Sequence, residues 1–213
     1  MSLSPSYAGL ILAAGTSSRM GTDKALLPWR NGTFLSAAIH TLEATTELVI
    51  VIAGHNQQTI APVVYSTSAF LAVNPNPDEG QFSSLRVGLN EVLGRGRDAA
   101  IITLVDRPSP AVATIERLKK VFLGASDNIW AVVPEFDGRH GHPFIAGREM
   151  IEAFLRAPAV SNAREVEHAL QEHILYQPVD DPLVAVNVNT QEEFQQLLSG
   201  QILSGQLPSG HKA

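Results

Sequence analysis

The chain alternates between short, unbroken apolar runs and longer stretches in which apolar residues recur every three or four positions. The runs at 8–13, 48–53, 70–73, 99–105 and 129–133 are rich in β-branched residues, and each is followed within two residues by Gly, Pro, Asn or Asp. Continuous apolar runs of this length fit strands covered on both faces, as in a parallel sheet. Helices are predicted between them. Residues 34–42 follow Thr33, a good N-cap residue; 84–93 put Leu85, Leu89 and Val92 on one face; and 111–122, after Pro110, put Ile115, Leu118 and Phe122 on another. Strand–helix alternation of this kind predicts a doubly wound α/β sheet.

Past residue 133 the pattern shortens. Asp137-Gly138 predicts a turn, and a strand is expected through Phe144 and Ile145. Helices are expected at 149–156, 163–173 and 190–198, with short strands at 174–177 and 183–188. No polar linker divides this part off, so it is expected as a lobe over the sheet within one domain, 1–198. The Gly- and Ser-rich stretch 199–213 is expected to be a flexible tail.

Composition narrows the function classes. Of 213 residues, 45% are hydrophobic and 17% charged, which suits a buried core and excludes a disordered or collagen-like chain. There are 15 basic and 21 acidic residues, a net charge of −6 with histidine neutral, which weighs against a nucleic-acid-binding surface. The absence of cysteine excludes disulfides, thiolate zinc sites and cysteine nucleophiles. No stretch approaches the ~20 apolar residues that span a bilayer, and residues 1–7 lack the features of a secretory signal. A cytoplasmic, soluble protein is expected.

Chemistry concentrates in residues 10–24, Leu-Ile-Leu-Ala-Ala-Gly-Thr-Ser-Ser-Arg-Met-Gly-Thr-Asp-Lys. A buried strand runs into a loop bounded by Gly15 and Gly21, carrying the hydroxyls of Thr16, Ser17 and Ser18, with Arg19 and Lys24 beside it. Successive backbone N–H groups in such a loop form an anion-binding concavity, and open α/β sheets bind ligands past the carboxyl ends of their strands. The spacing fits neither the Walker loop nor the Gly-x-Gly-x-x-Gly dinucleotide fingerprint. Asp106 ends the run 101–105 and is followed by Pro108, so it too is expected at the ligand edge. On spacing alone, Mg²⁺ ligation and capping of the next helix explain Asp106 equally well.

Leu12-Ala-Ala-Gly-Thr-Ser-Ser-Arg-Met-Gly21, with Lys24 and Leu26-Leu-Pro28, resembles the signature of the MobA-like nucleotidyltransferases. Within them it is most similar to the molybdenum cofactor cytidylyltransferase branch. Further motifs follow in order: Asn74 through Gly80 to Ser84-Leu85, Val105-Asp106-Arg107-Pro108, Gly138-Arg-His-Gly-His142-Pro143, and Asn187-Val-Asn-Thr190. The resemblance covers about residues 7–198. It implies a single Rossmann-like three-layer α/β/α domain. It implies transfer of a nucleotidyl group from an NTP, CTP favoured, to a small phosphorylated acceptor such as molybdopterin, with Mg²⁺ present and pyrophosphate released. A molybdoenzyme or its chaperone is the implied protein partner, with no role for a membrane or nucleic acid.

The resemblance also assigns residues. Arg19, Lys24 and Asp106 take the catalytic roles. Leu12, Ala13, Ala14, Gly15, Thr16, Ser17, Ser18, Gly21, Gly80 and Ser84 take the nucleotide. Asp106 and Asn187 take the metal, with Asn189 as the alternative second ligand. Arg139 and His142 take the acceptor. Ala13-Ala14, in place of an Ala-Gly pair, is what the CTP-using branch carries, and Ser83 or Ser84 is expected to cap the helix after Gly80. His140 and His142, two apart, would share a face on a strand.

Two departures matter. The branch carries acids where Asn187 and Asn189 stand, and the Gly-Asp and Gly-Ala-Arg stretch expected after the His-Pro motif is reduced here to Ala163-Arg164. They keep two alternatives open. One is a transferase acting on a sugar phosphate or other alcohol phosphate. No hexapeptide repeat is present, so a bifunctional sugar enzyme is not expected. The other is an inactive nucleotide-binding accessory protein.

Overall fold

The computed structural model describes residues 5–15 and 22–200. The first strand, β1 (Tyr7–Leu12), is buried at every position and lies between β4 (Leu48–Ala53) and β6 (Ala99–Leu104), parallel to both. The ladder continues from β4 to β5 (Phe70–Val73), again parallel. On the other side β6 pairs antiparallel with β9 (Phe144–Gly147), β9 antiparallel with β7 (Ala131–Phe136), and β7 parallel with β10 (Ile174–Pro178). The order is β10-β7-β9-β6-β1-β4-β5, with the short β8 (Arg139–His140) paired to β7. A separate two-stranded piece joins β2 (Pro28–Trp29) to β3 (Gly32–Thr33).

Helices cover both faces, which explains why the central strands read as unbroken apolar runs. One apolar cluster joins Ile11, Val51, Ile101 and Val132 to Leu35, Ile39 and Leu42 of α1 (Phe34–Glu43), Ile60 of α2 (Gln57–Tyr65) and Ile115 and Leu118 of α4 (Val112–Gly124). The opposite cluster joins Leu10, Leu12, Ile50 and Ile102 to Leu85 and Leu89 of α3 (Gln81–Gly94) and Phe154 of α5 (Arg148–Arg156). α6 (Ala163–Ala169) lies on that face as well, and α7 (Gln191–Leu198) packs Phe194 and Leu197 against Trp29 and Phe34. The architecture is the Rossmann-like α/β, mostly parallel, three-layer arrangement expected from the sequence.

Most elements fall where the periodicity predicts them, and the differences have physical reasons. The segment past residue 133 is no lobe over the sheet: β9 and β10 join β7 in the same sheet. Residues 183–188 form no strand; Asp181 caps a 3₁₀ turn over Pro182–Ala185, with proline in its first turn. The stretch 163–173 breaks after Ala169 into a 3₁₀ turn, Gln171–His173. α2 gives no clear signal in the sequence, because Pro62 lies inside it and only Ile60 and Val64 are buried. Asp137-Gly138 makes the expected two-residue turn, with φ of 49° and 70°, between Phe136 and its partner Arg139. Ser199 closes α7 through its N–H to Gln195, and residues 201–213 lie outside the described residues.

Candidate active site

β1 and β6 run side by side in the same direction, so the residues after Leu12 and Leu104 leave the sheet at one edge. Val105 N–H donates to the Leu12 carbonyl at 3.1 Å, and Ala13 N–H to the Ile52 carbonyl at 2.9 Å. There a cavity of about 390 Å³ is lined by Leu12, Ala14 and Gly15 from one side and Leu104, Val105 and Asp106 from another. Lys24 and Pro77, Asp78, Gly80, Gln81 and Ser84 complete the wall.

Lys24 is placed by a hydrogen-bonded buckle. It opens a 3₁₀ turn, Lys24–Leu26, whose N-cap Asp23 accepts from the Ala25 N–H at 2.9 Å. Asn56, beyond the end of β4, donates both to the other oxygen of Asp23, at 2.7 Å, and to the Ala13 carbonyl, at 2.9 Å. One amide thus ties the exits of β1 and β4 to the turn that carries the lysine. Sequence reasoning misses Asn56, because an Asn after Gly54-His55 reads as an ordinary turn residue.

Lys24 Nζ donates to Asp106 Oδ2 at 3.2 Å and to Asn189 Oδ1 at 2.9 Å, joining positions 82 and 165 residues apart in the chain. The side chains of Lys24 and Asp106 are 16% and 22% exposed, so solvent screens this pair only partly. Val188 N–H donates to the Asp106 carbonyl at 3.0 Å, which sets Asn187 and Asn189 beside the strand end. Asn189 is held from behind by α7, whose Glu193 accepts from the N–H groups of Asn189 and Thr190. The late Asn-x-Asn-Thr motif therefore both caps a helix and, through Asn189, holds the lysine that lines the cavity.

Two acceptor atoms here have no hydrogen-bond partner among the described residues: the buried Oδ1 of Asp106 and the buried Oδ1 of Asn187. A buried oxygen left unpaired is costly, and two beside one strand end are what a hard cation satisfies. Among the described residues no group of three or more His, Asp or Glu could hold a metal unaided, so such an ion would also need ligand oxygens from substrate or water. Asn189 Oδ1 is occupied by Lys24, which leaves Asn187 as the amide whose oxygen has no partner among the described residues.

The far wall differs from expectation in one respect. Neither Ser83 nor Ser84 caps α3; Gly80 is the N-cap, at φ 93°, and offers no side chain to the first helical N–H groups. Asn74 donates to both serine hydroxyls, at 2.7 and 2.9 Å, and Ser83 donates to the Gly80 carbonyl at 2.7 Å. Asp78 is held at the rim by His55, with Nε2 3.1 and 3.2 Å from its two oxygens.

The sequence-predicted residues thus divide. Leu12, Ala14, Gly15, Lys24, Gly80, Ser84 and Asp106 line one cavity, while Asn187 is not among its lining and is tied to it through Val188, whose N–H bonds to the Asp106 carbonyl. Ala13 is fully buried behind that wall. Thr16, Ser17, Ser18, Arg19 and Gly21 lie outside the described residues. Arg139 and His140 are exposed on β8, while His142 is turned inward, its ring edge-on to Phe144. Because the Ile102 carbonyl can only accept, His142 Nδ1 carries the proton in their 3.3 Å contact and Nε2 keeps its lone pair. Burial, with the Arg107 guanidinium adding, pushes the His142 pKa down to about 3, so the ring is neutral at pH 7. The two histidines do not converge on a metal: His140 stacks on Tyr176 instead. Asn162, where the branch pattern departs, caps α6 in a capping box with Glu165.

Comparison with known proteins places the chain in a family. A profile of the MobA-like NTP transferase domain matches residues 9–187. The chain belongs to the MobA-like NTP transferase family. Relatives of this family include the molybdenum cofactor cytidylyltransferase of Escherichia coli (strain K12), 25% identical over 187 residues, 87% of this chain and 92% of that one. The molybdenum cofactor guanylyltransferase of Xanthomonas euvesicatoria pv. vesicatoria (strain 85-10) is 26% identical over 205 residues, 93% and 97% of the two chains. Among solved structures, Rv0371c from Mycobacterium tuberculosis H37Rv superposes with a TM-score of 0.79 at 26% identity, over 92% of this chain and 99% of that one. Its manganese complex gives 0.74 at 25% identity, over 91% and 98%.

Proposed function

We propose that this MobA-like protein transfers a cytidylyl group from CTP to the phosphate of a molybdopterin-type acceptor, with release of pyrophosphate. The observation that carries the proposal is the junction at the cavity wall: Lys24 bridges Asp106 and Asn189, beside the Oδ1 atoms of Asp106 and Asn187 that lack a partner among the described residues. A cation-binding wall and an ammonium facing one hollow are what a triphosphate requires. Asp106 Oδ1 and Asn187 Oδ1 would hold Mg²⁺, which when bound supplies charge stabilisation on the phosphates. The manganese complex of the Mycobacterium relative supports a divalent ion in this fold.

The acceptor's phosphate is already ionised at pH 7, so it attacks without a protein nucleophile or base. Its oxygen forms a bond to the α-phosphorus as the bond from that phosphorus to the α–β bridging oxygen breaks, and pyrophosphate leaves with the electron pair. Lys24, pre-placed by the Asp23–Asn56 buckle, neutralises phosphate charge without having to reorganise. We assign Arg19 the same task from the glycine loop. Neutral His142 keeps a lone pair for a donor on the acceptor. CTP is preferred because the Ala14 methyl lines the cavity where a glycine would leave more room.

A pyrophosphate-release screen tests this, with CTP, GTP, UTP and ATP each offered with Mg²⁺ and either molybdopterin or a sugar phosphate. Release is expected with CTP and molybdopterin. Release only with a sugar phosphate would overturn the acceptor assignment. Nucleotide binding without release under any pairing would favour an accessory protein.

A further inference from the structure

Beyond the nucleotide cavity, the same face of the sheet carries an aromatic stack that the chemistry above does not use. The His140 imidazole lies flat on the Tyr176 ring, centroids 3.8 Å apart and planes 12° from parallel. His140 is still 52% exposed, so Tyr176 covers one face of the imidazole and solvent has access to the other. Beside the stack, Glu135 is 31% exposed, and its Oε2 lies 3.5 Å from His140 Nε2. That contact is too long to saturate a carboxylate, which has about four lone-pair sites.

The sheet register fixes where this stack stands. Ile101, Ile145 and Val132 are level across β6, β9 and β7. Three residues further on, Leu104 of β6, which lines the nucleotide cavity, is therefore level with Glu135 of β7. His140 sits directly opposite Glu135, and Tyr176 opposite Val133. Leu104, Phe144, Val133 and Tyr176 all belong to the apolar cluster on one face. The stack thus lies on the cavity's own side of the sheet and spans β7, which stands two strand spacings from β6, or about 10 Å.

We infer that His140, backed by Tyr176, is the platform on which the planar ring of the acceptor stacks, with Glu135 accepting hydrogen bonds from its edge. This rests on the acceptor reading above and adds the ring's seat to it. A flat imidazole with an open face suits a fused heteroaromatic. A carboxylate at its edge suits a ring presenting adjacent N–H and NH₂ donors, as a 2-amino-4-oxopteridine does. The separation of about 10 Å suits a ligand whose ring and phosphate are joined by a short linker. A sugar phosphate offers neither a planar heteroaromatic ring nor the adjacent N–H and NH₂ donors of a pteridine edge.

The test uses 6-hydroxymethylpterin, whose fluorescence is quenched by stacking, titrated into the full chain without nucleotide. Saturable quenching is expected for the wild type, weakened about tenfold in His140→Ala and restored in His140→Phe, which keeps a flat ring. Glu135→Gln, which leaves the stack in place, is expected to weaken binding about as much and serves if His140→Ala fails to fold. No quenching by the wild type, or wild-type affinity in both His140→Ala and Glu135→Gln, would overturn the assignment. Equilibrium dialysis of CTP with the wild type separates the two ideas. Pterin binding without CTP binding would sink the transferase reading and leave the platform standing; CTP binding without pterin binding would do the reverse.

Discussion

Lys24 and Asp106 hold each other at 3.2 Å with most of their surface out of water, so each is oriented before a substrate arrives. Removing one preorganised charge of this kind typically costs about 3 kcal/mol of transition-state stabilisation. Lys24→Ala and Asp106→Ala should each lower turnover by about a hundredfold with unchanged circular dichroism; wild-type pyrophosphate release by either would remove its role. Ala14→Gly should lower the CTP to GTP ratio of kcat/KM by about tenfold, on the scale of one missing methyl in a pocket. An unchanged ratio would place base selection elsewhere. His142 makes a prediction about pH. Its pKa is about 3 in the fold and about 6.5 in the unfolded chain, so both states are neutral above pH 6.5. Below that the unfolded chain takes up the proton first, and stability falls until the pH reaches about 3. Thermal melts from about pH 7.5 to about 4.5 should therefore show a steeper acid-side loss for the wild type than for His142→Gln.

At the scale of elements, the site depends on connections between segments that are far apart in sequence. Asn56 is the clearest case, since its amide spans Ala13 and Asp23 and its own oxygen accepts from Gly54. Asn56→Ala should cost about 2 kcal/mol, a Tm lower by about 4–8 °C, and should also lower kcat because the Lys24 turn loses its tie. A melting point lowered with kcat intact would make Asn56 structural only. The limits of sequence reading show at the same scale. β1, β4 and β6 were legible because a strand covered on both faces must be apolar throughout. α3 and α4 were legible from their 3.6-residue stripes, whereas α2 was not, with Pro62 inside it. The stretch 183–188 misleads for a related reason: a short apolar run after a proline reads as a strand, yet Asp181 and Pro182 turn Leu183 and Val184 into a 3₁₀ segment.

For the whole molecule, strand order decides which residues meet. Parallel pairing of β1 with β6 brings the glycine-loop strand and the aspartate strand to one edge, as expected for an open α/β sheet. The meeting of Lys24 with Asn189 could not be read from spacing, because 165 residues separate them and only the fold closes the gap. Nor could the division of labour between the two asparagines, one taken by the lysine and one whose oxygen has no partner among the described residues. That Asn187 oxygen and the Oδ1 of Asp106 are proposed to hold a divalent cation against a triphosphate. Electron paramagnetic resonance of Mn²⁺ titrated with CTP present tests it most directly. One bound ion per wild-type chain is expected, with affinity reduced at least about tenfold in Asp106→Ala and also lowered in Asn187→Ala. Equal Mn²⁺ affinity in all three proteins would contradict it.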